Sequence, residues 1–143
     1  MFLGEYEYKV DNKGRLPIPP RFRKEFAEGL VATRGVEQCI VVYRAEVFDR
    51  GAGPLATEEI IESQEQRNLK RAIFASAEYL TLDGQGRIAL HARLKKHADI
   101  EDEVVIVGLG DRIEIWNPAI WKPVISQAED NAPSLMENIK GKQ

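Results

Sequence analysis

Cysteine is nearly absent from this chain of 143 residues: Cys39 stands alone, so no internal disulfide framework can form. A small secreted domain would need such staples, and a reducing cytoplasm is the expected compartment. Long hydrophobic runs are missing too. No stretch approaches the roughly 20 apolar residues of a membrane helix, and the opening MFLGEYEYKVD lacks the basic-then-apolar plan of an export signal. Histidine is scarce, with only His91 and His97 present. They lack the i, i+4 spacing of helical metal ligands and have no cysteine partners, so no metal site is expected. No glycine-rich phosphate loop is present; Gly108–Asp111 reads as a hairpin turn. Glu101–Glu103 reads as a solvated turn before a strand rather than a cation site. Cys39 lies in the apolar run CIVVY and reads as core rather than nucleophile. Neither catalysis nor a cofactor is expected.

Positive charge is in deficit overall, with a net charge of -3. Its distribution is uneven. Residues 1–24 carry Lys9, Lys13, Arg15, Arg21, Arg23 and Lys24 against Glu5, Glu7 and Asp11. Residues 83–97 carry Arg87, Arg93, Lys95 and Lys96 against Asp83. An acidic body with two basic patches can still bind phosphate, because the local field matters more than the total. On charge alone, a solvated surface explains the patches equally well.

The chain repeats itself. DNKGRLPIPPRFRK (11–24) aligns with DGQGRIALHARLKK (83–96), so that Asp11, Gly14, Arg15, Arg21 and Lys24 meet Asp83, Gly86, Arg87, Arg93 and Lys96. Leu16, Ile18, Phe22 and Arg23 meet Ile88, Leu90, Leu94 and Lys95. With one residue inserted, Ile40, Val42 and Tyr43 fall on Ile113, Ile115 and Trp116. Two copies are too few for a solenoid, and each is too small to hold a core alone. The expectation is a duplicated half-domain, units 5–48 and 77–120, packed with pseudo-two-fold symmetry. A helical linker over 49–76 and a C-terminal segment 121–143 complete the chain.

Each unit reads as a half-buried strand, a turn, a short strand, a short helix and apolar strands. In the first unit Glu5–Val10 alternates, Asp11–Gly14 turns, and Arg15–Pro19 resumes with Leu16 and Ile18 on one face. Pro17 and Pro19 make that strand an edge or very short. Arg21–Glu28 is expected to be helical and to end near Gly29. The second unit repeats the plan: strands 79–82 and 87–90, a turn at 83–86, a helix near 92–98, and strands 104–107 and 112–116. Thr57, with Glu58 and Glu59, is expected to cap a linker helix of about 57–73. Asn117 and Pro118 begin a closing helix that Pro123 ends or kinks, and 129–143 is expected to be loosely ordered. Trp116 and Trp121 are expected in core or subunit contacts.

An exposed Asp-x-x-Gly-Arg turn between strands suits a DNA reader better than an enzyme. Gly14 and Gly86 allow a tight turn or a close approach. Arg15 and Arg87 offer rigid forks of donors for phosphate oxygens or for guanine O6 and N7. Arg21, Arg23, Lys24, Arg93, Lys95 and Lys96 follow as candidate phosphate contacts, and Lys13 joins them, although its counterpart is Gln85. Asp11 and Asp83 would repel phosphate and are expected to bond turn amides or fix the arginine. The competing reading is that Asp and Gly merely build turns and the arginines serve solubility.

The first unit, MFLGEY followed by DNKGRLPIPPRFR, resembles the opening of MraZ proteins, and DGQGRIALHARLKKHA resembles their second motif. The resemblance covers about residues 1–121. It implies an α+β fold of tandem AbrB-like swapped-hairpin β-barrel halves with flanking helices. It further implies a transcription regulator of the division and cell wall gene cluster that acts on its own operon. Its partners would be double-stranded DNA and further copies of itself in a ring-like homo-oligomer. It would reside in the cytoplasm and on the nucleoid, not on a membrane. Arg15 and Arg87 take the family's arginine position, Asp11 and Asp83 its aspartate. Two departures are visible: His91 stands where the family's second motif usually has proline, and Lys95 where it has arginine. They imply a less rigid second loop. The alternative is an antitoxin-like or scaffold module that binds protein without reading DNA specifically.

Overall fold

The computed structural model describes residues 1–56 and 63–141. Its strands are β1 (Glu5–Lys9), β2 (Arg15–Pro17), β3 (Leu30–Arg34), β4 (Ile40–Arg44), β5 (Glu78–Leu80), β6 (Arg87–Ala89), β7 (Glu103–Gly108) and β8 (Arg112–Trp116). Its helices are α1 (Pro20–Arg23), α2 (Ala45–Ala56), α3 (Gln64–Ser76), α4 (Ala92–His97) and α5 (Pro118–Gly141). The architecture is α+β, with one antiparallel six-stranded sheet in the order β1-β7-β8-β4-β3-β5 and a two-stranded ribbon of β2 and β6.

That order reads the same from either end when each strand is exchanged for its counterpart in the other unit. β1 pairs with β7 and β5 with β3, so each unit lends its first strand to the other. The central pairs are self-matched: β2 meets β6 about the Leu16–Ile88 pair, and β4 meets β8 about the Val41–Glu114 pair. These pairs carry the two sequence offsets, 72 in the ribbon and 73 in the sheet.

The ribbon lies over one face of the sheet. Leu16, Ile18, Ile88 and Leu90 are buried there with Phe22, Leu94, Ile40, Val42, Ile113 and Ile115. Phe22 and Phe26 clasp Phe2, with ring centroids 5.1 and 4.8 Å apart. On the opposite face Cys39, Val41, Val105, Val107 and Trp116 pack with Trp121 of α5. Coverage on both faces explains why β4 and β7 are nearly continuous apolar runs.

Several expectations change. β3, absent from the sequence reading, is buried at four of its five positions, so it shows no alternation to detect. The helix expected over Arg21–Glu28 is only α1 followed by a 3-10 turn, Lys24–Phe26; Gly29 closes it at φ 99°. α2 follows β4 directly, starting four residues before the helical linker expected over 49–76. The expected cap at Thr57, with Glu58 and Glu59, lies outside the described residues. α3 starts instead from Ser63, whose hydroxyl accepts from the Gln66 amide at 3.1 Å while the Gln66 side chain accepts from the Ser63 amide at 2.9 Å. Asn117 caps α5 as expected, its Oδ1 accepting from the Ala119 amide at 2.8 Å. Pro123 does not end the helix, which continues through Pro133 to Gly141 and takes in the tail expected to be loose. Pro123 sits in the second turn, and the carbonyl it leaves without a helical donor belongs to exposed Ala119.

Candidate nucleic-acid interface

The two Asp-x-x-Gly-Arg turns have the same internal bonding. Asp11 Oδ1 accepts from the amides of Lys13 (2.8 Å) and Arg15 (2.9 Å), while the Gly14 amide donates to the Asp11 carbonyl at 3.0 Å. Asp83 Oδ1 accepts from Gln85 and Arg87, both at 2.9 Å, and the Gly86 amide donates to the Asp83 carbonyl at 3.0 Å. Gly14 and Gly86 have φ of 77° and 75°, the left-handed region where a Cβ is costly. The aspartates thus build the turns. Those amide bonds, first the one from Arg15, hold the Asp11 carboxyl below its usual range; the Arg87 amide does the same first for Asp83.

Each turn is also clamped by the other unit. The Ile18 amide donates to the Gly86 carbonyl at 2.9 Å, and the Leu90 amide donates to the Gly14 carbonyl at 2.8 Å. Arg15 pairs with Ala89, and Arg87 with Pro17. Partners in an antiparallel pair point to the same side. With Leu16 and Ile88 buried on the inner side, both arginines therefore occupy the outer face of the ribbon. Two guanidinium forks so disposed can engage two anionic or acceptor-rich positions of one extended polyanion.

The forks are not equivalent. Arg87 Nε donates to Asp83 Oδ2 at 2.9 Å, its Nη1 lies 3.9 Å from Asp11 Oδ2, and its side chain is 24% exposed. Arg15 makes no side-chain hydrogen bond or ion pair among the described residues. Lys13, Arg21, Lys24 and Lys96 are exposed and equally unpaired among the described residues. Arg93 is exposed, but its Nη1 donates to the Ala75 carbonyl at 3.0 Å, near the end of α3. Arg23 is half-buried and donates from Nε to the Ile18 carbonyl at 2.8 Å. Its counterpart Lys95 makes no such bond among the described residues.

The two sequence departures, His91 and Lys95, lie on the flanks of the loops. His91 holds an extended conformation, φ -76° and ψ 159°, which a proline would also adopt. Its Nε2 lies 3.3 Å from the Ser76 carbonyl and 3.7 Å from Glu78 Oε2. Lys95 belongs to the second unit, but the loop clamped by its unit is the first. The crossing of strands could not be read from one unit's residues alone, and neither could the involvement of the Ile18 and Leu90 backbone. The twofold repeat was the available signal for both.

Among the described residues catalytic groups do not converge. Burial first, and then the Glu114 and Glu37 carboxylates, push the Cys39 thiol up to about 12, which keeps it protonated. His97 Nε2 lies 3.1 Å from the Glu37 carbonyl. Among the described residues no group of three or more His, Cys, Asp and Glu side chains could hold a metal, and no helix is long and apolar enough to cross a membrane.

A family model described as "MraZ protein, putative antitoxin-like" matches residues 1–71 and 73–139. A protein of Herpetosiphon aurantiacus named transcriptional regulator MraZ is 44% identical over 139 residues, covering 97% of this chain and 96% of that protein. The like-named protein of Roseiflexus castenholzii is 42% identical with the same coverage. That of a Nocardioides species is 42% identical over 137 residues, 95% of this chain and 94% of its own.

Proposed function

The chain belongs to the MraZ family, whose named members are transcriptional regulators and not enzymes, and from that premise we propose that it regulates transcription by reading double-stranded DNA with its two loops. The observation that carries this reading is the presence of Arg15 and Arg87 on one outer face of the β2–β6 ribbon, each delivered by an identically bonded turn. Arg15 and Arg87 read base edges or clamp phosphates. Lys13, Arg21, Lys24 and Lys96 supply phosphate contacts that set register and affinity, and Arg93, Arg23 and Lys95 flank them. Asp11, Gly14, Asp83 and Gly86 shape the loops.

The exchange of β1 and β5 between units supports assigning residues 5–48 and 77–120 to two AbrB-like swapped-hairpin halves. The DNA proposed is the promoter of its own operon in the division and cell wall gene cluster, engaged on the nucleoid by a ring-like homo-oligomer. Exposed Leu135, Met136 and Ile139 on α5 support self-association.

Gel-shift titration of the duplex upstream of its own gene tests this. Arg15→Ala and Arg87→Ala should each weaken binding by about ten- to a hundredfold, the range of a good bidentate base contact. Affinity should fall steeply with salt as phosphate contacts release counterions. A doubly substituted protein that binds as tightly as the parent at matched salt overturns the reading. The family description favours a second reading, an antitoxin-like module; co-purification of a stoichiometric protein partner, with no preference for that duplex, would establish it.

A further inference from the structure

We infer that Arg23 is a positioning residue for the second loop, acting from the first unit, and that the two loops are consequently unequal readers. The inference about DNA rests on the reading proposed above; the brace itself does not.

The brace is a short closed circuit. Arg23 Nε donates to the Ile18 carbonyl, and the Ile18 amide donates to the Gly86 carbonyl. The guanidinium lies flat against Gly86. A Cβ built there would stand 2.3 Å from Arg23 Nε, 2.5 Å from Cζ and 2.6 Å from Cδ. The missing side chain of Gly86 thus serves two purposes, a left-handed turn at φ 75° and a bed for the arginine. Arg87 follows directly, so its backbone is held by Asp83 on one side and by the Arg23–Ile18 circuit on the other.

The first loop has the same clamp without the brace. The Leu90 amide holds the Gly14 carbonyl, but a Cβ on Gly14 would meet only the Leu90 carbonyl, at 3.0 Å. The residue that corresponds to Arg23 is Lys95. A lysine ends in a single rotatable ammonium and lacks the planar Nε–H that Arg23 uses. Arg87 is therefore presented pre-formed, with its Nε already on Asp83, whereas Arg15 orders on binding. The second loop fixes register, and the first adapts to sequence or groove shape.

The test uses the full chain and its own upstream duplex. Hydrogen exchange of the segments 11–15 and 83–87 is compared in the parent, Arg23→Lys and Lys95→Arg. Arg23→Lys should speed exchange of 83–87 by about tenfold and leave 11–15 unchanged, while Lys95→Arg should slow 11–15. Unchanged exchange at 83–87, or equal acceleration of both loops, overturns the brace. In DNA binding, Arg23→Lys keeps the charge but should still cost about tenfold. That cost should vanish in an Arg87→Ala background and persist in an Arg15→Ala background. If it persists undiminished in both, Arg23 is itself a phosphate contact and the positioning role is overturned. If even the Arg15→Ala, Arg87→Ala double variant binds like the parent, the DNA reading fails, while the exchange data still decide the brace.

Discussion

Gly14 and Gly86 adopt the same left-handed conformation but face different surroundings. Alanine at either position meets the strain of a positive φ, about 1–2 kcal/mol. At Gly14 the new methyl touches one carbonyl oxygen. At Gly86 it must displace Arg23 at Cδ, Nε and Cζ, which breaks the bond to the Ile18 carbonyl. That bond adds about 1 kcal/mol to the cost. Urea unfolding should therefore rank Gly86→Ala as less stable than Gly14→Ala by about that margin. Equal midpoints would mean that Arg23 moves aside freely. The positions of both glycines were legible in the sequence, because an Asp-x-x-Gly turn before an alternating strand permits few conformations. Their inequality was not, since it depends on a side chain more than sixty residues away in sequence.

Among the elements, the ones read correctly are those with local signals. β8 coincides with its expected bounds, Arg112–Trp116, and β7 extends the expected 104–107 by one residue at each end. β7 carries a long apolar run, β8 alternates as RIEIW, and a Gly-bearing turn separates the two. β3 was missed because LVATR is short, has no alternation and follows Gly29 without a loop. The N-cap at Ser63, inside the helix expected over 57–73, has a different reason. A charge gradient suggests a helix but does not say where it starts, whereas Ser63 and Gln66 hold a complete capping box. Ser63→Ala removes the acceptor for the Gln66 amide. It should cost about 1 kcal/mol, read as a lower thermal midpoint. It should also speed exchange through the first turn of α3 and leave the ribbon unaffected. A Ser63→Ala protein that exchanges like the parent over 63–67 would show that the box contributes nothing.

At the scale of the whole molecule, the exchange of strands makes each half depend on the other. Among the described residues β1 has its only strand partner, β7, in the second unit, and β5 has its only strand partner, β3, in the first. Leu16 and Ile18 share one core with Ile88 and Leu90, and each such side chain contributes about 1.5–3 kcal/mol by leaving water. A fragment of residues 1–56 would lose the second unit's share of that core. It would also leave β1 and the ribbon strand β2 unpaired, more than a domain of ordinary stability, about 5–15 kcal/mol, can lose. The pseudo-two-fold axis offers one remedy. Leu16 faces Ile88, and Val41 faces Glu114, each opposite its own counterpart, so a second copy of the fragment could occupy the place of the missing unit. Sedimentation with circular dichroism should accordingly find residues 1–56 unfolded when dilute and structured only as a dimer, with a melting midpoint that rises with concentration. A monomeric fragment that melts cooperatively would show that the halves are independent domains, and the cross-unit brace on Gly86 would then be a contact between domains rather than part of one shared core.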